Sequence, residues 1–243
     1  MLSLFLLSLV AHDLYLMPKT FRPAKGEKVT VAFHSGDDFP RSANAVDPSR
    51  ITAPALENLR VDGNYTLGEA LDEPLIGAQT APRFLELPAG KFHEYLAHEG
   101  LDWVVAWREQ HGEAGLPGRE LYSKYAKTLL AEGDFRKRLG HALEIVPAAN
   151  PYNCKVGSRL RVKVWKREKP AAGITLEAAK LGPGGQAEVW TLGKTDHQGE
   201  LEFLLKAPGI WKLHGVAIER VERPTPEKAQ WESFWTSLSF EIR

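Results

Sequence analysis

Short runs of alternating apolar and polar residues, each soon closed by Gly, Pro, Asn or Asp, constrain this chain more than any other feature. They point to a β-rich fold. The 243 residues include 21 Gly and 16 Pro, enough to punctuate many strands. "KVTVAFHSG", "RFLELPA", "HALEIVP", "RLRVKVWKREKP", "GITLEAAKL", "AEVWTLGKTD" and "ELEFLLKAPG" all read as strands bounded by turn residues. In "RLRVKVW", Leu160, Val162 and Val164 share one face while Arg159, Arg161 and Lys163 share the other. That pattern suits an antiparallel strand with one face in a core and one in water. "SFWTSLSFEIR" repeats it with Phe234, Thr236, Leu238, Phe240 and Ile242, and predicts a closing strand.

The middle of the chain has a different period. "AGKFHEYLAHEGLDWVVAWREQHG" places Phe92, Tyr95, Leu96, Trp103 and Trp107 at helical spacing, with Gly100 as a break between two short helices. "RELYSKYAKTLLAEG" fits a helix or a strand. "TDHQGELEF" followed by "APGIWKL" reads as the late hairpin of a small immunoglobulin-like or prealbumin-like sandwich. Asp196 would bond the turn amides, Gly199 would supply the unusual dihedral, and Leu201 and Phe203 would point inward. The segment lacks the alternating carboxylates of a calcium loop. The expected fold class is therefore mainly β, with two β-sandwich (immunoglobulin-like) domains and a short helical insertion over about 90–131. The first domain would cover 12–141 and the second 142–243, parted near "EIVPAANPYNCKVG", where Pro147, Asn150 and Pro151 interrupt the pattern.

Charge narrows the functional classes. Thirty-one Lys and Arg balance 31 Asp and Glu, so the chain lacks the basic excess of a nucleic-acid-binding protein. The first eleven residues carry no charge and end in Leu9-Val10-Ala11, like the apolar core and small-residue cleavage site of a secretory signal. On that reading residues 1–11 are removed and the mature chain starts at His12, in the periplasm or outside the cell. A buried first strand is the competing reading. Beyond this segment no run of 18 apolar residues exists, so no lipid insertion of the mature chain is expected. Cys154 is the only cysteine, read as a small buried apolar residue.

Signatures of catalysis are absent: the chain has no G-x-S-x-G elbow, H-E-x-x-H, P-loop or dinucleotide fingerprint. Ser35 and His34 are neighbours on a strand and so point to opposite faces. A non-enzymatic role is expected. His93 and His98 are five apart and fall on different helix faces, and a Glu94–His98 pair would be an ordinary helix contact. Trp231 and Trp235 could stack on a sugar or anchor a sandwich corner. Asn64 in "NYT" matches a glycosylation acceptor.

The order of "AHDLYLMPKTFRPAKGEKVTVAFHSGDDFP", "FLELPAGKFHEYLAHEGLD", "PGRELYSKYAK", the turn around Asp196 and "WESFWTSLSFEI" resembles a bacterial secreted family of unknown function. That family is often labelled the periplasmic component of cobalt or nickel uptake transporters. The resemblance runs from His12 to Ile242. It implies a metal-binding protein outside the cytoplasm, with a metal transporter in the membrane as its partner. Members often carry His after the glycine where this chain has Asp37, with His34 three residues earlier.

The residues themselves offer a metal site. A mature terminus at His12 would present an α-amine and an imidazole Nδ1 on one residue, able to close a six-membered chelate ring on Cu, Ni or Co ions. The α-amine ordinarily titrates at roughly 7.7–8.0, so giving up its proton near neutral pH costs little. His34, Asp37 and His214 are the candidate further ligands. Two other functions compete: a carbohydrate-binding or adhesion module, favoured by exposed Trp in a groove, and a copper redox enzyme using His12 with a second His.

Overall fold

The computed structural model describes residues 13–36, 38–130, 133–182, 184–222 and 229–243. In chain order the elements are β1 (Leu14–Pro18), β2 (Lys28–Ser35), β3 (Ile51–Thr52), β4 (Glu57–Asp62), β5 (Tyr65–Leu71), β6 (Leu75–Thr80) and β7 (Arg83–Leu87). Next come α1 (Ala89–His98), α2 (Asp102–Gln110), β8 (Gly118–Leu129), β9 (Leu143–Pro147), β10 (Arg159–Lys166) and β11 (Lys169–Pro170). The last are β12 (Thr175–Leu181), β13 (Ala187–Lys194), β14 (Glu200–Leu204), β15 (Gly209–Arg220) and β16 (Trp231–Ile242). A mainly β fold with a minor helical part is what the alternation demands.

Three sheets form among the described residues. The largest has eight strands in the order β13-β12-β15-β16-β8-β6-β3, with β7 also on β8. Its centre is the parallel pairing of β16 with β8, from Trp231 opposite Glu120 to Ser239 opposite Thr128. Strands from both sides of position 142 therefore share one sheet. A second sheet, β9, β10, β11 and β14, covers one of its faces. Leu160, Val162, Val164 and Phe203 meet Trp211, Leu213, Leu238 and Phe240 there, all buried. Each such side chain contributes roughly 1.5–3 kcal/mol of hydrophobic stabilisation.

The opposite face of the large sheet has two coverings. The sheet β1-β2-β5-β4 brings Leu14, Leu16, Val31 and Phe33 against Ile76, Ala78 and Ala126. The helices bring Phe92, Tyr95, Leu96 and Val104 against Val216, Ile218, Trp231 and Trp235. Gly100 (φ +68°) turns the chain between α1 and α2, and a Cβ there would lie 2.2 Å from Thr175 Oγ1, so the corner sits tightly on the start of β12.

Three sequence expectations change. Among the described residues α-helix is confined to 89–110, while 118–129 is a strand. β8 lies between strands on both edges and is covered on both faces, which erases the alternation that would have marked it. The segment around Asp196 is not a hairpin, because β13 pairs with β12 in the large sheet and β14 pairs with β10 in the second. Its turn chemistry is as expected: Asp196 Oδ1 accepts from the amides of Gln198 at 2.8 Å and Glu200 at 2.9 Å. Trp103, placed at a core-facing helical position, is 49% exposed.

Candidate functional site

Of the four sequence-predicted ligands, His12 and Asp37 lie outside the described residues. His34 sits on β2 opposite Tyr15 of β1. Its ring stacks on Tyr15 at 5.0 Å and meets Tyr65 at 4.8 Å. Burial pulls its pKa down to about 4, partly offset by a hydrogen bond with the Pro40 carbonyl, so the imidazole is neutral. Its Nδ1 is buried and has no hydrogen-bond partner among the described residues.

His214 lies on β15, where alternation sends Trp211 and Leu213 into the core and Lys212 and His214 to the other face. Both polar side chains are buried, so each needs a counter-charge. Asp13, just ahead of β1, supplies it: Oδ2 pairs with Lys212 Nζ, and Oδ1 lies 3.1 Å from His214 Nδ1. The other imidazole nitrogen, Nε2, lies 3.1 Å from Oε2 of Glu99, the residue that caps α1. Glu177, cross-strand from His214, completes the group.

The charges explain one another. Burial would pull the His214 pKa down, but the Asp13 and Glu99 carboxylates outweigh it and hold the ring above the usual histidine value. Burial would push Asp13 up, but His214 and Lys212 hold it below the ordinary carboxylate value. For Glu177 burial wins over the two cations and raises the pKa. An imidazole facing a carboxylate from each nitrogen donates from both, as imidazolium, and offers no lone pair to a metal in this arrangement. Among the described residues no group of three or more His, Cys, Asp or Glu side chains could hold a metal ion.

What the cluster does is fix the start of β1. Ser237 and Ser239 on β16 donate to the carbonyls of Leu14 at 2.6 Å and Leu16 at 2.5 Å. Together with the Lys212 and His214 contacts they fasten the strand by side chains, and Asp13 is one peptide bond from His12. Next to this cluster is a second buried group. Ser233 Oγ donates to Glu120 Oε1 at 2.6 Å and accepts from Trp235 Nε1 at 3.1 Å. Burial raises the Glu120 pKa to about 7, against the Ser233 and Tyr95 contacts that oppose it. Trp231 and Trp235 are 0% and 2% exposed, so they anchor the sheet and present no stacking platform.

Sequence reasoning singled out His214 but missed Asp13, Glu99, Lys212 and Glu120. One signal was present. In "WKLHGVAI" a Lys and a His share a face of an otherwise apolar strand, which requires an opposing charge somewhere in the fold.

A profile for a domain of unknown function, DUF4198, matches residues 9–218. The chain belongs to the DUF4198 family. No curated protein matches it. Among solved structures, one described as FdeC, an Escherichia coli adhesin, is similar over 96% of this DUF4198 chain and 63% of its own, at 12% identity and a TM-score of 0.23. The DUF4198 chain thus spans less than two thirds of that chain's length, and a likeness at this score carries neither fold nor function. No helix among the described residues is long and apolar enough to cross a membrane.

Proposed function

We propose that this DUF4198 protein captures a divalent transition metal, nickel, cobalt or copper, outside the cytoplasm and passes it to a membrane transporter. The site would be the amino terminus created by cleavage after Ala11, with the α-amine and imidazole of His12 as first ligands and His34 and Asp37 as candidates to complete the set. Two nitrogens of this kind suit these ions, with Cu²⁺ favoured by intrinsic affinity. The observation that supports the reading is the anchoring of Asp13 by Lys212 and His214, because it fixes the residue next to the chelate. A terminus held in place loses less conformational freedom on binding than a free one. His214 serves here as a positioning residue through Asp13 and not as a ligand.

Titration calorimetry with Cu²⁺ and Ni²⁺ on three proteins tests it: the chain starting at His12, its His12→Ala variant, and the chain with one extra residue ahead of His12. Terminal chelation predicts weaker binding in both variants. A loss in His12→Ala alone would indicate an ordinary histidine ligand, and equal affinity in all three would remove the site.

A second reading, a carbohydrate-binding or adhesion module, is favoured by one observation: Trp103 is half-exposed and lines a groove.

A further inference from the structure

The groove beside Trp103 lies between the α1–α2 corner and the β10–β11 turn, and encloses about 690 Å³. That is within the range of roughly 300–1,000 Å³ in which small-molecule sites fall. Leu101, Ile174, Ala217 and Ile218 make an apolar floor, and Trp103 stands in one wall. The indole touches Trp231 edge-on, with ring centres 5.9 Å apart, and remains 49% exposed. The wall is held by construction. Gly100 rests against Thr175, and Lys194 Nζ donates to the Gly100 carbonyl at 3.1 Å, tying the corner to β13.

The rim opposite is polar, and its charges are largely matched. Lys166 pairs with Glu219, and Arg167 Nη2 lies 2.8 Å from Glu219 Oε1 and 3.9 Å from Glu232. Glu168 is 3.1 Å from Arg138. Arg167 has φ +52°, a left-handed backbone rarely kept by a residue with a side chain. The Glu219 carboxylate and the Phe234 ring, whose centre lies 5.1 Å from Cζ, hold the guanidinium at the rim. Charges so paired attract no strong net charge but still offer donors and acceptors to hydroxyl groups.

We propose that this groove binds a neutral hexose unit of an oligosaccharide. The C–H face of the sugar packs on the exposed indole and the apolar floor. Its hydroxyls, each both donor and acceptor, bond the mixed rim of Lys166, Arg167, Glu168 and Lys169. An anion would find most of the cations already partnered, and a fully apolar ligand would strand the rim's polar groups. The site rests on the carbohydrate-binding reading and is separate from the metal one.

Calorimetric titration of the full chain with maltohexaose, cellohexaose and chitohexaose, and with a heparin hexasaccharide as the anionic arm, tests the assignment. At least one neutral hexasaccharide should bind saturably. Trp103→Ala should weaken it by about tenfold or more, while Trp103→Phe, which keeps a ring, should lose less. Thermal unfolding of both variants near the wild-type temperature, and unchanged Cu²⁺ titration, separate this site from folding and from the amino-terminal site. No saturable binding of any neutral hexasaccharide, undiminished affinity in Trp103→Ala, or tighter binding of the heparin fragment would each overturn the proposal.

Discussion

Replacing Glu120 by Gln should stabilise this protein at alkaline pH and change little in acid. Glu120 is fully buried, and burial lifts its pKa from the ordinary 4.5 to about 7. The native state therefore holds the proton more tightly than the unfolded chain does. Below about pH 4.5 both states are protonated and nothing is lost. As pH rises from there to about 7, unfolding releases a proton and stability falls; above about 7 the full cost remains. From 4.5 to about 7, at roughly 1.4 kcal/mol per pH unit, the cost is about 3 kcal/mol. Gln cannot ionise. It keeps an acceptor for the Ser233 hydroxyl and presents its amide donor toward the Tyr95 hydroxyl. For a chain of this size about 3 kcal/mol corresponds to roughly 6–12 °C in unfolding temperature. Urea denaturation of both proteins at about pH 4, 6 and 8, followed by Trp fluorescence, gives the difference directly. His34 and His141, both lowered to about 4 by burial, cost stability as pH falls from 6.5 toward 4, but equally in the two proteins. A difference that stays constant across the pH range, or a less stable variant at pH 8, would refute the reasoning.

Lys127 and Glu144 form a pair at 2.8 Å with side chains 2% and 1% exposed, so Lys127→Met should cost about 3–5 kcal/mol by stranding the Glu144 charge. A loss below about 1 kcal/mol in chemical denaturation would show that the charge is relieved some other way. Residues 142–243 expressed alone should be less stable than the whole chain, because β16 would lose its β8 partner and Trp231 and Trp235 would lose the helices. Full-chain stability in that fragment, by calorimetry, would instead support a self-sufficient second domain.

Strands with one face in the core and one in water were legible in the sequence. β10 runs as its alternation predicts, with Leu160, Val162 and Val164 inside, whereas β16 keeps Phe234, Leu238 and Phe240 inside but has its other face, with Ser237 and Ser239, covered by β1. β8 was not legible, because this central strand is covered on both faces and mixes apolar residues with buried Glu120, Ser123, Lys124, Lys127 and Thr128, so neither side reads as the polar one. Pairing was harder still. The Asp196 turn is encoded locally, yet whether it joins two strands of one sheet or passes between sheets depends on contacts made elsewhere. The cluster at His214 shows the same limit. Its Glu99 partner is 115 residues away in sequence, and no spacing rule reaches that far.

The serine clips between β16 and β1 have a consequence for the order in which the molecule is completed. A ribosome makes β1 long before β16, so the first strand can pair with β2 and pack on Ile76, Ala78 and Ala126 early, but the serine bonds to its carbonyls form only once residues 231–242 exist. Lys212 and His214 arrive almost as late. The amino-terminal strand is thus among the last parts to be fastened, and any chain cut short before β15 leaves Asp13 without the cations that pair with it.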